Sequence, residues 1–208
     1  YSGRKPFSTR EFFILSTMAP SLGLTPEMDE LPFSVKPEKK VSVRDVMAYY
    51  RQTYEGTDLE ATKNLLVQDR PRYGRGEQAE IAEEKDPVKS NMANPWMSRD
   101  LVTLINTLKP ETIKSVRNIA ISGCSYSQII QCRDWLPDEI GGVAWFSYDN
   151  PGCSPRIPIF SGVLSLPESF AICAQKEFRT DAAGWHFRRT NRLAEVRWGV
   201  TREFIESG

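Results

Sequence analysis

Residues 115–163 constrain the fold more than any other stretch of the chain. Four short runs, SVRNIAISG, YSQIIQCRDW, GGVAWFSY and PRIPIFSG, are rich in Ile, Val, Phe and Tyr and are separated by turn residues at close spacing. That pattern predicts four consecutive antiparallel strands. GGVAWFSY is apolar on both faces, which predicts a central strand covered on both sides, and the covering layers must be helices. Val43, Val46, Met47 and Tyr50 recur at helical spacing, with Ser42 as N-cap and Asp45 three residues on, so a helix is predicted over 43–54. A second short helix is predicted in YEGTDLEATKNLL, another from Ser98 to Asn106, and a long one from Asp181 to Glu206 that buries Leu193, Val196, Val200 and Phe204. Residues 19–40 carry Pro20, Pro26, Pro32, Pro37 and Gly23 and read as loop or meandering edge. Periodicity disappears in the segment that sets Arg70, Arg72 and Arg75 beside Glu77, Glu80, Glu83 and Glu84, and residues 70–93 are read as a surface insertion. The expected architecture is α+β, helices layered on a sheet, in a single domain over 1–208.

Composition removes several function classes. Twenty-seven basic and twenty-seven acidic side chains cancel, so no overall field attracts nucleic acid or an anionic membrane surface, and neither partner is expected. A chain of 208 residues with 40% hydrophobic and 11% aromatic residues has material for a packed core. No apolar run approaches the roughly 20 residues that span a bilayer, and the opening YSGRKPFSTREF lacks a signal-peptide pattern, so a soluble chain is expected. Tyr1 stands where a start methionine would, which reads as a processed or clipped piece of a longer polypeptide.

Chemistry-bearing motifs are sparse. G-x-x-x-x-G-K, G-x-G-x-x-G, H-E-x-x-H and G-x-S-x-G are all missing, so no cofactor is expected. With a single histidine, His186, a metal centre is not expected either. Cys124, Cys132, Cys153 and Cys173 match neither a zinc pair nor a dense disulfide framework, and most of them read as free, buried thiols, with disulfide pairing left open. A Cys–His nucleophile would have to pair one of them with His186, oriented by Asn191. Arginines are more suggestive. NPWMSRDLV places Arg99 in the first turn of a helix after Trp96, Arg117 opens the first predicted strand and Asn150 ends the third. Guanidinium groups at strand and helix mouths suit bidentate recognition of a carboxylate, which makes Arg117 and Asn150 candidate substrate-binding residues. For the arginines a surface ion pair is the plainer reading, and for Asn150 a simple Asp149-Asn150-Pro151 turn explains the same residues equally well.

The order of several phrases carries a resemblance. PFSVKP, VMAYYRQTYEGT, the strand S-Y-S-x-x-I-Q-x-R, W-x-P-x-x-I-G-G-x-x-W and Y-D-N-P before R-I-P-I-F-S-G follow one another across residues 31–170. Together they resemble the second half of the cysteine dipeptidase family of N-terminal-nucleophile hydrolases, relatives of penicillin V acylase and bile salt hydrolase. The resemblance implies a four-layer αββα sandwich and hydrolysis of the amide bond of small dipeptides. It implies a cysteine at the mature N-terminus as nucleophile, with its own α-amino group, of pKa near 8, as base. Tyr1 has no thiol, so the nucleophile is expected upstream, in a missing segment or a companion chain. The resemblance also gives Arg99 and Asn94 as catalytic residues, Asn94 as an oxyanion or orienting partner. Two alternatives remain: a non-catalytic binding or scaffolding domain with the same fold, and an internal thiol enzyme. Dipeptide preference, homo-oligomerisation and compartment are left open.

Overall fold

Ser8 and Glu11 begin the first helix with a reciprocal cap. The Ser8 hydroxyl accepts from the Glu11 N–H at 3.2 Å, and the Glu11 carboxylate accepts from the Ser8 N–H at 2.7 Å. The computed structural model describes residues 3–68, 86–173 and 175–206. In chain order they form α1 (Thr9–Met18), α2 (Val43–Tyr50), β1 (Leu66–Val67), β2 (Val88–Lys89), α3 (Arg99–Leu108), β3 (Tyr126–Cys132), α4 (Asp138–Gly141), β4 (Gly142–Tyr148), β5 (Ile157–Phe160), α5 (Glu168–Ala171), α6 (Ala183–Val196) and α7 (Trp198–Glu206). The molecule is α+β. No described helix is long and apolar enough to cross a membrane.

The predicted α2 is present with its cap, Ser42 and Asp45 bonding reciprocally. The sequence reading assigns no helix before it and so misses α1, although the Ser8-x-x-Glu11 signature was legible. The basic and acidic clusters of the predicted insertion lie outside the described residues. The flanks of that segment pair as the two-stranded β1–β2 ribbon.

β3, β4 and β5 form one antiparallel sheet in that order, with Ile129 opposite Trp145 and Trp145 opposite Pro158. β4 is central, as its apolar sequence predicts. One face is closed: Ser127, Ile129, Val143 and Ser147 are buried. The other is covered less than expected, since Tyr126 and Ile130 are 56% and 60% exposed. α2 packs against β3 and α6 against β4.

Three expectations need correction. SVRNIAISG is not a strand, because its main chain is satisfied elsewhere: Ala120 donates to the Gln52 carbonyl at 3.0 Å and accepts from Trp96 Nε1 at 2.8 Å. The stretch 54–66 is turns up to β1 rather than helix. Tyr54 and Gly56 adopt φ of 62° and 80°, and the side chains of Thr57 and Glu60 bond to local backbone, offering it an alternative to the helical ladder. The long C-terminal helix is two helices, broken at Arg197 (φ −138°, ψ 56°). The break carries Trp198 inward and lets Gly199 approach the Asn91 main chain, where an added Cβ would lie 2.8 Å from Asn91 Cα. The predicted apolar stripe therefore faces outward, with Leu193 62% and Phe204 75% exposed, while α6 buries Ala183, Asn191 and Ala194.

The core gathers around Tyr54, Trp96 and Trp198. Phe13 and Tyr54 meet at 4.9 Å between ring centroids, and Trp96 and Trp198 meet edge to face at 5.0 Å. Beside them Lys89 forms ion pairs with two buried carboxylates, Glu55 at 3.3 Å and Glu60. Burial acts to raise the Glu60 carboxyl, but Lys89, the Gly56 N–H and Thr62 outweigh it and hold the group below its ordinary value. A carboxyl depressed in the folded state contributes stability in full above its unfolded pKa, about 4.3, and loses it as pH falls through the folded value. Replacing Lys89 with Met leaves burial unopposed by its main partner. The acid-unfolding midpoint followed by circular dichroism should then move to higher pH, and an unchanged midpoint would contradict this account.

Candidate functional site

The end of β4 builds a buried polar hub. Asp149 takes a left-handed φ of 57°, a conformation Asp tolerates better than most residues, and its N–H donates to the Ser125 carbonyl at 3.0 Å. Asn150 folds the next turn onto itself: its side-chain oxygen accepts from the Gly152 N–H at 2.9 Å, and its carbonyl accepts from Cys153 and Ser154, both at 3.1 Å. Gly152 is required where the turn passes under Trp96, because a Cβ there would lie 2.7 Å from the indole.

α6 supplies the other half. Arg188, Asn191, Arg192 and Glu195 stand at i, i+3, i+4 and i+7 and so share one helix face. Arg188 Nε donates to Asp149 Oδ1 at 3.0 Å, Asn191 Nδ2 to Asp149 Oδ2 at 2.9 Å and to Ser154 Oγ at 2.8 Å, and Arg192 lies 3.7 Å from Asp149 Oδ1. Arg192 also donates to Glu195 at 2.6 Å, and Glu195 Oε1 accepts from Asn150 Nδ2 at 3.0 Å. Asp149, Asn150, Ser154 and Asn191 are each at most 2% exposed. Two cations and two anions in this network balance.

Cavities flank the hub. One of about 440 Å³ is lined by Tyr126, Tyr148, Phe170 and Trp185, with Asp149 and Arg188 among its walls. Another of about 600 Å³ is lined by Arg51, Trp145, Arg156 and Phe187, with Ser154 and Asn191 among its walls. The hub thus connects two spaces of small-molecule size.

Of the four residues singled out in the sequence, the structure brings two together. Asn150 reaches the Glu195 carboxylate, and Asn94 donates to the Glu195 main-chain carbonyl while accepting from the Trp96 N–H at 2.7 Å. Arg99, in the first turn of α3, and Arg117 are both exposed and line neither cavity. Sequence reasoning missed Asp149, Arg188, Arg192 and Glu195 as a unit; the i, i+4, i+7 charge pattern on one helix was the available signal. Arg156 was also missed.

All four cysteines are free, but only Cys153 is buried as expected; Cys132 and Cys173 are exposed. Burial, helped by the Glu195 charge, pushes the Cys153 thiol up to about 12, and burial raises Cys124. His186 shares the larger cavity with Cys153, but its Nε2 lies 2.7 Å from the Thr180 carbonyl. Among the described residues no group of three or more His, Cys, Asp or Glu could hold a metal ion.

Known proteins resemble the chain along nearly its whole length. The family profile described as peptidase family C69 matches residues 4–207. A probable dipeptidase of Latilactobacillus sakei is 20% identical over 194 residues, 93% of this chain and 32% of that protein. Dipeptidase A of Lactobacillus helveticus is 21% identical over 198 residues, 95% of this chain and 32% of that protein. Probable dipeptidase A of Streptococcus pyogenes serotype M1 is 32% identical over 84 residues, 40% of this chain and 17% of that protein. The chain spans about a third of the length of the first two. No solved structure matches it.

Proposed function

The chain belongs to peptidase family C69, and from that premise we propose that it is the framework and pocket wall of a cysteine-type dipeptidase whose nucleophile lies in polypeptide outside these 208 residues. The carrying observation is the family match over residues 4–207, in a chain that covers only 32% of dipeptidases with which it aligns almost end to end. The raised Cys153 and Cys124 thiols support a nucleophile from elsewhere. The four-layer αββα sandwich belongs to the same proposal: the weakly covered face of β3, with Tyr126 and Ile130, is where further layers pack. In this reading Asn94 and Asn150 brace the hub through Glu195, while Arg99 and Arg117 act on substrate once the missing polypeptide closes over them.

A self-standing scaffold would cover its large apolar groups, whereas Trp135, Leu108 and Phe204 are each at least 72% exposed. That observation favours a chain that works as part of something larger. The test is hydrolysis of a dipeptide panel by the 208-residue chain alone and by the chain joined to its natural flanking polypeptide. Activity is expected only in the joined form. Turnover by the chain alone, abolished by alkylating one of its cysteines, would replace this reading with an internal thiol enzyme.

A further inference from the structure

The larger cavity has an unbalanced charge that the hub does not share. Among the described residues its walls include Arg51 and Arg156 and no Asp or Glu. Among the described residues neither guanidinium forms an ion pair, which sets them apart from Arg188 and Arg192. Arg156 is held in place by the sheet beneath it. Its Nη1 donates to the Trp145 carbonyl at 3.2 Å and the Ser127 carbonyl at 3.5 Å, its Nη2 donates to Ser127 Oγ at 3.1 Å, and the group lies 4.9 Å over the Tyr50 ring. These bonds use both Nη1 hydrogens and one on Nη2. The Nε hydrogen and the second Nη2 hydrogen remain, and that pair is the edge with which arginine grips a carboxylate through two parallel bonds. Burial lowers the Arg156 guanidinium below its ordinary value; Tyr50 offsets part of this and the Arg51 charge adds to it. A bound anion relieves both unfavourable effects. The rest of the wall is apolar, with Trp145, Phe187 and Phe204.

We propose that this cavity is a carboxylate-binding site, in which Arg51 and Arg156 hold the carboxylate of a small ligand whose apolar group lies against Trp145, Phe187 and Phe204. Identifying that carboxylate as the C-terminal one of a short peptide rests on the peptidase reading above; the site itself does not. A fixed arginine with two donors to which no described residue offers an acceptor selects a planar anion. A neutral carboxamide presents only one acceptor oxygen and no charge, so it is the discriminating comparison.

The test is calorimetric titration of the full chain with N-acetylphenylalanine and with N-acetylphenylalaninamide, neither of which requires turnover. The acid should bind about tenfold or more tightly than the amide, the scale expected for a charged hydrogen-bonded pair. Arg51→Gln and Arg156→Gln should each erase that preference while thermal melts confirm folding, and Arg156→Lys should restore part of it. If Arg156→Gln fails to fold, Arg51→Gln carries the test. Equal binding of acid and amide, no binding of either, or a preference that survives Arg51→Gln overturns the site. The peptidase reading fails separately, through absence of dipeptide hydrolysis by the joined polypeptide, and that result leaves the binding measurement standing.

Discussion

Replacing Trp198 with alanine should lower the unfolding free energy by about 4 kcal/mol, the scale for deleting a buried indole. Trp198 is 2% exposed and packs edge to face on Trp96, and its Nε1 donates to Glu55 Oε2 at 2.9 Å. Alanine leaves a cavity beside Trp96 and removes a donor from Glu55, which keeps Thr53 Oγ1 at 3.0 Å, Lys89 at 3.3 Å and Arg202 at 3.6 Å. For a chain of this size the melting temperature should fall by about 10 °C. Trp198→Phe keeps one ring against Trp96 but loses the hydrogen bond and the packing of the second ring, so it should cost less than alanine, about 2–3 kcal/mol. Urea unfolding of both variants gives that order. A loss below about 1 kcal/mol for Trp198→Ala, typical of a surface position, would refute the placement of this helix.

The second large effect is at Asp149. Asp149→Ala strips the acceptor from Asn191 and both arginines at once and forces alanine into a left-handed conformation that costs it about 1 kcal/mol. Breaking a fully buried pair by removing one partner costs about 3–5 kcal/mol. Arg188 and Arg192 are 45% and 42% exposed, so water recovers part of that, and a total of about 3 kcal/mol is expected. Asp149→Asn keeps an acceptor and tolerates the same φ, and should lose about half as much. A lower urea midpoint at unchanged slope, in the order wild type, Asn, Ala, is the expected result. Equal losses for Asn and Ala would show that the charge, and not the geometry, governs the site.

Elements whose signal is local were legible. α2 follows from the Ser42–Asp45 cap and its apolar spacing, α3 from Ser98, and β4 from a run too apolar for any edge position. The failures occur where distant partners settle the outcome. SVRNIAISG has strand composition, but Gln52, Pro95 and Trp96 take its polar groups before another strand does. The Leu193–Phe204 stripe has helical periodicity, which reports that one face is apolar and not which face the molecule covers.

The candidate site divides in the same way. Asn150 and Asn94 were legible as polar groups at a strand end and a turn, but both act through Glu195, more than forty residues away in sequence. Arg156 sits in a run read only as a strand, and its lack of a carboxylate partner among the described residues exists only once β3, β4, α2 and α6 surround it. The amino-acid sequence by itself determined the α+β class, the central strand and the starts of α2 and α3, because caps and periodicities act over one or two turns of chain. The tertiary structure alone decided which charges are neutralised, which thiols are silenced and which arginines line a cavity, because desolvation and ion pairing depend on what folding brings within a few ångströms.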